Sequence, residues 1–188
     1  MEESSGFFEK VVEKSVEFAY SPKKRGARIL FLLVAAGFLL RLVAALNLGV
    51  LADDMVFASQ SAGIIGAKIL STHSNPPLFF YLTDLSYKTF GYTTFASRFW
   101  PLIAGALVII VVFLITRKIF NENVALLAAF FVTFSSFLIR MTFSEHSLVV
   151  FFFSFLAIYF GLVYLESKKL YALIFSAVIF GLGFLTKY

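Results

Sequence analysis

Two adjacent carboxylates, Asp53 and Asp54, follow directly after a long apolar segment of this 188-residue chain. A carboxylate beside apolar surroundings can act as a general base, and a neighbouring carboxylate can raise its pKa or orient an acceptor hydroxyl. The same pair would also serve as a plain helix N-cap, because carboxylates accept hydrogen bonds from the free N–H groups at a helix start. The residues alone leave both interpretations open.

A further acidic residue, Glu145, lies in the short polar segment Arg140-Met-Thr-Phe-Ser-Glu145-His146, between two apolar stretches. We expect Asp53 and Glu145 to face one cavity, with Arg98 or Arg140 nearby. A loop between two helices needs some polar residue in any case, so this convergence also has a simpler interpretation.

Arg41 lies in the middle of an apolar segment, about 12 residues before Asp53. A charge inside a membrane-spanning helix is costly and faces protein or a wet cavity. Its position indicates either a buried structural partner or a role in contacting substrate, and the sequence does not choose between them.

The composition excludes several classes of protein. Apolar residues make up 60% of the chain and charged residues 14%, whereas a soluble domain carries about 25% charged residues. The absence of Cys excludes disulfide scaffolds, thiolate metal sites and Cys nucleophiles. There is no Gly-rich phosphate loop, zinc-type spacing or Ser-His-Asp order. These features predict an all-α polytopic membrane protein.

Five apolar segments are long enough to suggest transmembrane helices, since about 20 residues cross the hydrocarbon core. They cover residues 29–51, 100–116, 124–139, 147–165 and 170–186. Lys and Arg concentrate at 23–28, 117–118 and 168–169, which predicts that these regions are cytoplasmic. The net charge of +5 therefore indicates the orientation of the helices in the membrane and not a surface that binds nucleic acid. The N-terminus is then cytoplasmic.

The domain organisation follows from the same pattern. Residues 1–22 predict a cytoplasmic amphipathic helix on the membrane surface, and residues 23–188 a transmembrane domain with outer loops at 52–98 and 140–146. Within the first loop we expect interfacial helices near 55–70 and 78–90. Because the chain ends directly after an apolar segment, we expect it to be the front part of a longer protein.

Several motifs occur in a fixed order along residues 29–188. They are Leu40-Arg41-Leu42, Asp53-Asp54-Met55-Val56-Phe57, Asn75-Pro76-Pro77-Leu78-Phe79-Phe80-Tyr81, Ser97-Arg98-Phe99-Trp100-Pro101, Arg140 to Glu145, and Gly181-Leu-Gly-Phe-Leu-Thr-Lys187. Together they resemble the N-terminal part of GT-C membrane glycosyltransferases. The most similar branch is that of the protein O-mannosyltransferases and aminoarabinose transferases.

The resemblance implies a glycosyltransferase that moves a sugar from a polyprenyl-phosphate donor to an acceptor hydroxyl on the extracytoplasmic side. It implies Asp53 as the general base, with Asp54 as the second acid of the pair. Glu145 is a candidate catalytic acid from the position of its own loop. Phosphate is a good leaving group that needs positive charge. The candidates to supply that charge or contact substrate are Arg98, Arg140, Lys187, His73 and Asn75.

Some residues depart from the family pattern. Asp54 stands where Glu is frequent, and Asn75 precedes Pro-Pro where His or Lys is commoner, with His73 displaced by two positions. These departures leave the branch of the family and the sugar open. The expected acceptor is a lipid, a glycan or a protein. No nucleic-acid partner is expected, no metal is assigned, and a divalent cation is left open as a cofactor. The alternative function is a non-catalytic membrane subunit or a remnant of the fold.

Overall fold

The computed structural model describes residues 25–49, 61, 77–142 and 146–187. Within these ranges the chain forms seven helices and no strand. They are α1 Arg25–Asn47, α2 Leu78–Phe90, α3 Thr94–Ile119, α4 Glu122–Phe134, α5 Ser136–Arg140, α6 Ser147–Ser167 and α7 Leu170–Phe184. The all-α prediction is confirmed. The helices predicted at 1–22 and 55–70 lie outside the described residues.

Each of the five predicted apolar segments contains a helix. Helices α1, α3 and α6 have 23, 26 and 21 residues and are long and apolar enough to cross a membrane, whereas α4 and α7 are apolar but shorter, at 13 and 15 residues. The chain is therefore an all-α membrane protein. A helix expected near 78–90 is observed as α2, with the same bounds.

Helix α3 begins six residues before the predicted apolar segment does. The Thr93 side chain accepts a hydrogen bond from Ala96 N at 3.2 Å and caps the helix, so the polar residues that follow are helical. This start brings Pro101 inside the helix and moves Arg98 from the expected outer loop onto α3. The hydropathy pattern missed this first turn and a half because capping, not apolarity, begins the helix.

Helix α3 is the centre of the bundle. It packs against α1, α2, α4 and α6, while α7 packs against α6. Two buried clusters fill the interior. One contains Phe79, Ala104, Leu148 and Val149, and the other contains Ile109, Phe113, Ala125 and Ala129.

The two ends of the bundle differ in how many Lys and Arg residues they carry among the described residues. Lys118 pairs with Glu166, which joins the ends of α3 and α6, and the Glu122 carboxylate lies against Gly26, which joins the starts of α4 and α1. We call this the basic end, and it carries Arg25, Arg28, Arg117, Lys118, Lys168 and Lys169. The opposite, Lys187 end contains the end of α1, the starts of α3 and α6, and the end of α7.

Candidate active site

Arg98 binds the end of α1. Its Nη1 donates to Ala45 O at 2.8 Å and Leu48 O at 2.9 Å, and Nη2 donates to Gly49 O at 3.0 Å. The last carbonyls of a helix have no partner within the helix, and a cation complements the negative end of the helix dipole. Arg98, which is 1% exposed, therefore caps α1. It holds the last described residues before the acidic pair, four positions upstream of Asp53.

A backbone hydrogen bond joins two motifs that lie far apart in the sequence. Leu78 N, at the start of α2, donates to Leu185 O, just after α7, at 3.0 Å. The bond fixes the end of the Asn-Pro-Pro-Leu motif against the Gly181–Lys187 motif. Whatever precedes Pro77 in the chain therefore starts from a point beside the end of α7.

Lys187 lies beside the first residue of α6. Its Nζ is 3.4 Å from Ser147 Oγ, and the side chain is partly buried. The start of a helix presents free N–H groups and the positive end of the helix dipole, which favour an anion. An ammonium group at the same place adds a full positive charge. This arrangement suits a phosphate group.

Two buried polar residues flank Glu145. His146 is 2% exposed and its ring lies edge-on to Phe79, with the ring centroids 5.5 Å apart. Thr142 is 1% exposed, and its Oγ1 has no hydrogen-bond partner in the described part of the chain. Sequence reasoning gave neither residue a role. The available signal was their place in the segment from Arg140 to His146.

Of the other predicted site residues, the structure describes only Arg140. Arg140 ends α5 and is exposed, and it has no hydrogen bond or ion pair with the described residues. Five predicted positions lie outside the described residues: Asp53, Asp54, His73, Asn75 and Glu145. Among the residues that the structure describes, no three His, Cys, Asp or Glu side chains form a cluster that could hold a metal ion.

Arg41 is not at the Lys187 end. It lies on α1 six residues before the helix ends, is 0% exposed, and donates to carbonyls of α1 and α4, including Val132 O at 3.0 Å. Of the two interpretations that the sequence left open, the structure supports the buried structural partner.

The helices define an all-α membrane protein, with Lys187 beside the start of α6 and Arg98 at the end of α1. A family model described as dolichyl-phosphate-mannose-protein mannosyltransferase matches residues 74–188, which is more than half of the chain. The chain belongs to this family of GT-C glycosyltransferases. Neither a curated protein nor a solved structure matches the chain. The matched region contains Arg98, Arg140 and Lys187.

Proposed function

We propose that the protein transfers a sugar, mannose by family, from a polyprenyl-phosphate donor to an acceptor hydroxyl at the Lys187 end. The observation that supports this most directly is the Lys187 ammonium group beside the first residue of α6. Both features favour a phosphate group, and both lie within the part of the chain that matches the family.

The proposed reaction is one displacement at the anomeric carbon of the donor. The acceptor oxygen forms the new bond to this carbon while the bond from the carbon to the phosphate oxygen breaks. The electron pair of the broken bond leaves with the polyprenyl phosphate, and the hydroxyl proton passes to the Asp53 carboxylate. Asp54 orients the acceptor, and Glu145 completes the acidic side of the site.

Cations stabilise the leaving phosphate in this proposal. Lys187 and Arg140 contact its oxygens, because charge develops there as the bond breaks. His73 and Asn75 contact substrate from the segment before α2, whose end the Leu78–Leu185 bond holds near Lys187. Arg98 acts as a positioning residue, since its guanidinium group binds carbonyls of α1.

The charge difference between the two ends supports an orientation in the membrane. Six Lys and Arg residues lie at the basic end, and cytoplasmic ends of membrane helices are rich in these residues. We therefore infer that the basic end and the N-terminus face the cytoplasm. The Lys187 end then faces the extracytoplasmic side.

The variant Asp53→Asn tests the base assignment. It keeps the size of the side chain but removes the proton acceptor, and loss of a general base costs roughly 10²–10⁴-fold in rate. We expect turnover of labelled polyprenyl-phosphate mannose in proteoliposomes to fall by that amount, with donor binding unchanged. Asp54→Asn is the matched control and should cost less. Near-normal turnover with Asp53→Asn would leave Asp53 as a helix cap.

The same assay distinguishes the phosphate contact from the base. Lys187→Gln should weaken equilibrium binding of the labelled donor as well as turnover, because it removes a charge from the phosphate site. Donor binding equal to that of the unmodified protein would contradict the assignment of Lys187.

A further inference from the structure

The helix of the third apolar segment, residues 124–139, is broken at Ser135. Helix α4 ends at Phe134 and α5 begins at Ser136, with Ser135 extended at φ −63° and ψ 110°. Without the break, residues 122–140 would form one helix of nearly membrane-spanning length. In that helix, Val132 O would accept from Ser136 N–H and Thr133 O from Phe137 N–H, by the ordinary i to i−4 pattern.

Arg41 occupies these same two carbonyls. Its Nη2 donates to Val132 O at 3.0 Å, and its Nη1 lies 3.5 Å from Thr133 O and 3.0 Å from Gly37 O. In the interior of a membrane protein there is no water to satisfy a carbonyl that a helix break exposes. The break needs a donor and the buried guanidinium group needs acceptors, so each compensates for the other.

Two glycines make room for the Arg41 side chain. A Cβ atom at Gly105 of α3 would lie 2.8 Å from both Cδ and Nε of Arg41, and one at Gly37 would lie 3.1 Å from Nη1. Any larger residue at Gly105 would displace the arginine. The packing of α1 against α3 is therefore shaped around this side chain.

The far side of the break is also capped. Ser135 Oγ accepts from Leu138 N at 3.3 Å, which caps the start of α5. The amides of Ser136 and Phe137 have no backbone partner within the described residues. Arg41 takes the place of these two N–H groups as the hydrogen-bond donor to Val132 O and Thr133 O.

We propose that Arg41 is a positioning residue that holds the α4–α5 break open by competing with Ser136 and Phe137 N–H for the carbonyls of Val132 and Thr133. By doing so it sets the direction of α5 and the position of Arg140, the last residue of α5. Its consequence for catalysis rests on the function proposed above, whereas the helix break does not.

Amide hydrogen exchange of the protein in lipid nanodiscs tests the break directly. In Arg41→Met, which keeps an unbranched side chain without donors, α4 and α5 join into one helix. Exchange at Ser136 and Phe137 should then slow by about tenfold or more, since these amides gain partners. Arg41→Lys keeps a cation and should stay near the unmodified rates. Arg98→Met removes another buried arginine and should leave both amides unchanged.

Two outcomes would overturn the proposal. Unchanged exchange at Ser136 and Phe137 in Arg41→Met would mean that the local sequence alone makes the break. Faster exchange along all of α4 and α5 would mean that Arg41 supports folding rather than competing for carbonyls. If Arg41→Met does not fold, Gly105→Ala, which displaces the Arg41 side chain, should slow the same two amides by a smaller factor. Unchanged exchange in that variant would overturn the proposal.

A double-mutant cycle tests the link to Arg140. Arg41→Met and Arg140→Gln should each weaken donor binding in proteoliposomes, and together no more than the stronger one alone, because both remove the same contact. Additive losses would refute the positioning role. Failure of the proposed function would be seen in a different measurement. Turnover would be normal in Asp53→Asn, while exchange at Ser136 and Phe137 would still slow in Arg41→Met.

Discussion

The two buried arginines of this bundle use the same chemistry at different depths. Arg41 and Arg98 are 0% and 1% exposed, and each donates to carbonyls at the C-terminal end of another helix. Arg41 does so from within α1, against a helix that is broken inside the bundle. Arg98 does so at the Lys187 end, where α1 stops.

The difference in depth changes what each contact does. Near the end of a bundle, water can replace a lost donor, so the contact of Arg98 mainly determines where the chain after Gly49 starts. Deeper in the bundle no such replacement exists, so Arg41 determines the shape of α4 and α5. A helix C-terminus thus binds an arginine in both places, but Arg98 holds the end of a helix and Arg41 holds a break between two helices.

The largest expected effect separates a positioning role of Arg98 from a phosphate-binding one. Arg98→Met frees the end of α1, and a displacement of about 1 Å at a reacting group can cost 10²-fold in rate. We therefore expect turnover to fall by about 10²-fold, with donor affinity nearly unchanged and partial recovery in Arg98→Lys. Measuring kcat and donor Kd separately checks this. A parallel loss of affinity for the sugar donor would mean that Arg98 binds the phosphate. Its role would then differ from the positioning role of Arg41.

The next effect concerns the space around Arg41. Gly105→Ala places a Cβ against Cδ and Nε of Arg41 and 3.2 Å from Leu148 Cδ1. Overpacking of this kind costs about 1–3 kcal/mol of unfolding free energy, which steric-trap unfolding in bicelles can measure. The cost should largely disappear in the background of Arg41→Ala. If it persists there, Leu148 rather than Arg41 limits the space.

Gly181→Ala provides a matched control for that measurement. Gly181 also lies within a helix, α7, and no described atom lies within 4 Å of a Cβ built there. Since Ala favours a helix over Gly by about 1 kcal/mol, this variant should be neutral or slightly more stable. Destabilisation by Gly181→Ala would show that the cost at Gly105 is not specific to its neighbours.

The smallest effect belongs to an exposed cation on α2. Lys88 Nζ lies 2.6 Å from Asp84 Oδ2, and this hydrogen bond, with the attraction between the charges, raises the pKa of Lys88 above 10.5. A raised pKa stabilises the fold below the ordinary value, and this contribution is lost as pH rises through the raised one. Because Lys88 is exposed and solvent screens the pair, Asp84→Asn should leave the unfolding midpoint at neutral pH nearly unchanged.

A titration of Lys88 by NMR checks this prediction. In Asp84→Asn the pKa of Lys88 should return towards its ordinary value. At pH values above the raised pKa, the two proteins should have the same stability. A clear loss of stability at neutral pH would mean that the Lys88–Asp84 pair contributes to the free energy of unfolding, as contacts of the buried arginines do.

Several elements were accessible from the sequence because their causes are local. The helix at 78–90 was predicted with the bounds that α2 has, since its apolar spacing lies within the helix itself. The start of α3 was predicted too late, because the Thr93 cap, rather than hydropathy, decides it. Arg98, Arg140 and Lys187 were identified as the cations of the site, but what each one contacts was not.

The sequence by itself determined that this chain is an apolar all-helical membrane protein and, through the order of its motifs, which family it belongs to. Composition and short-range periodicity are properties of neighbouring residues, so they can be read without a structure. The tertiary structure alone decided that Arg41 binds Val132, 91 residues away, that Arg98 closes the end of α1, and that Leu78 meets Leu185. Such partners depend on how helices pack in space, and an arginine inside a membrane donates to whichever carbonyls that packing leaves unpaired.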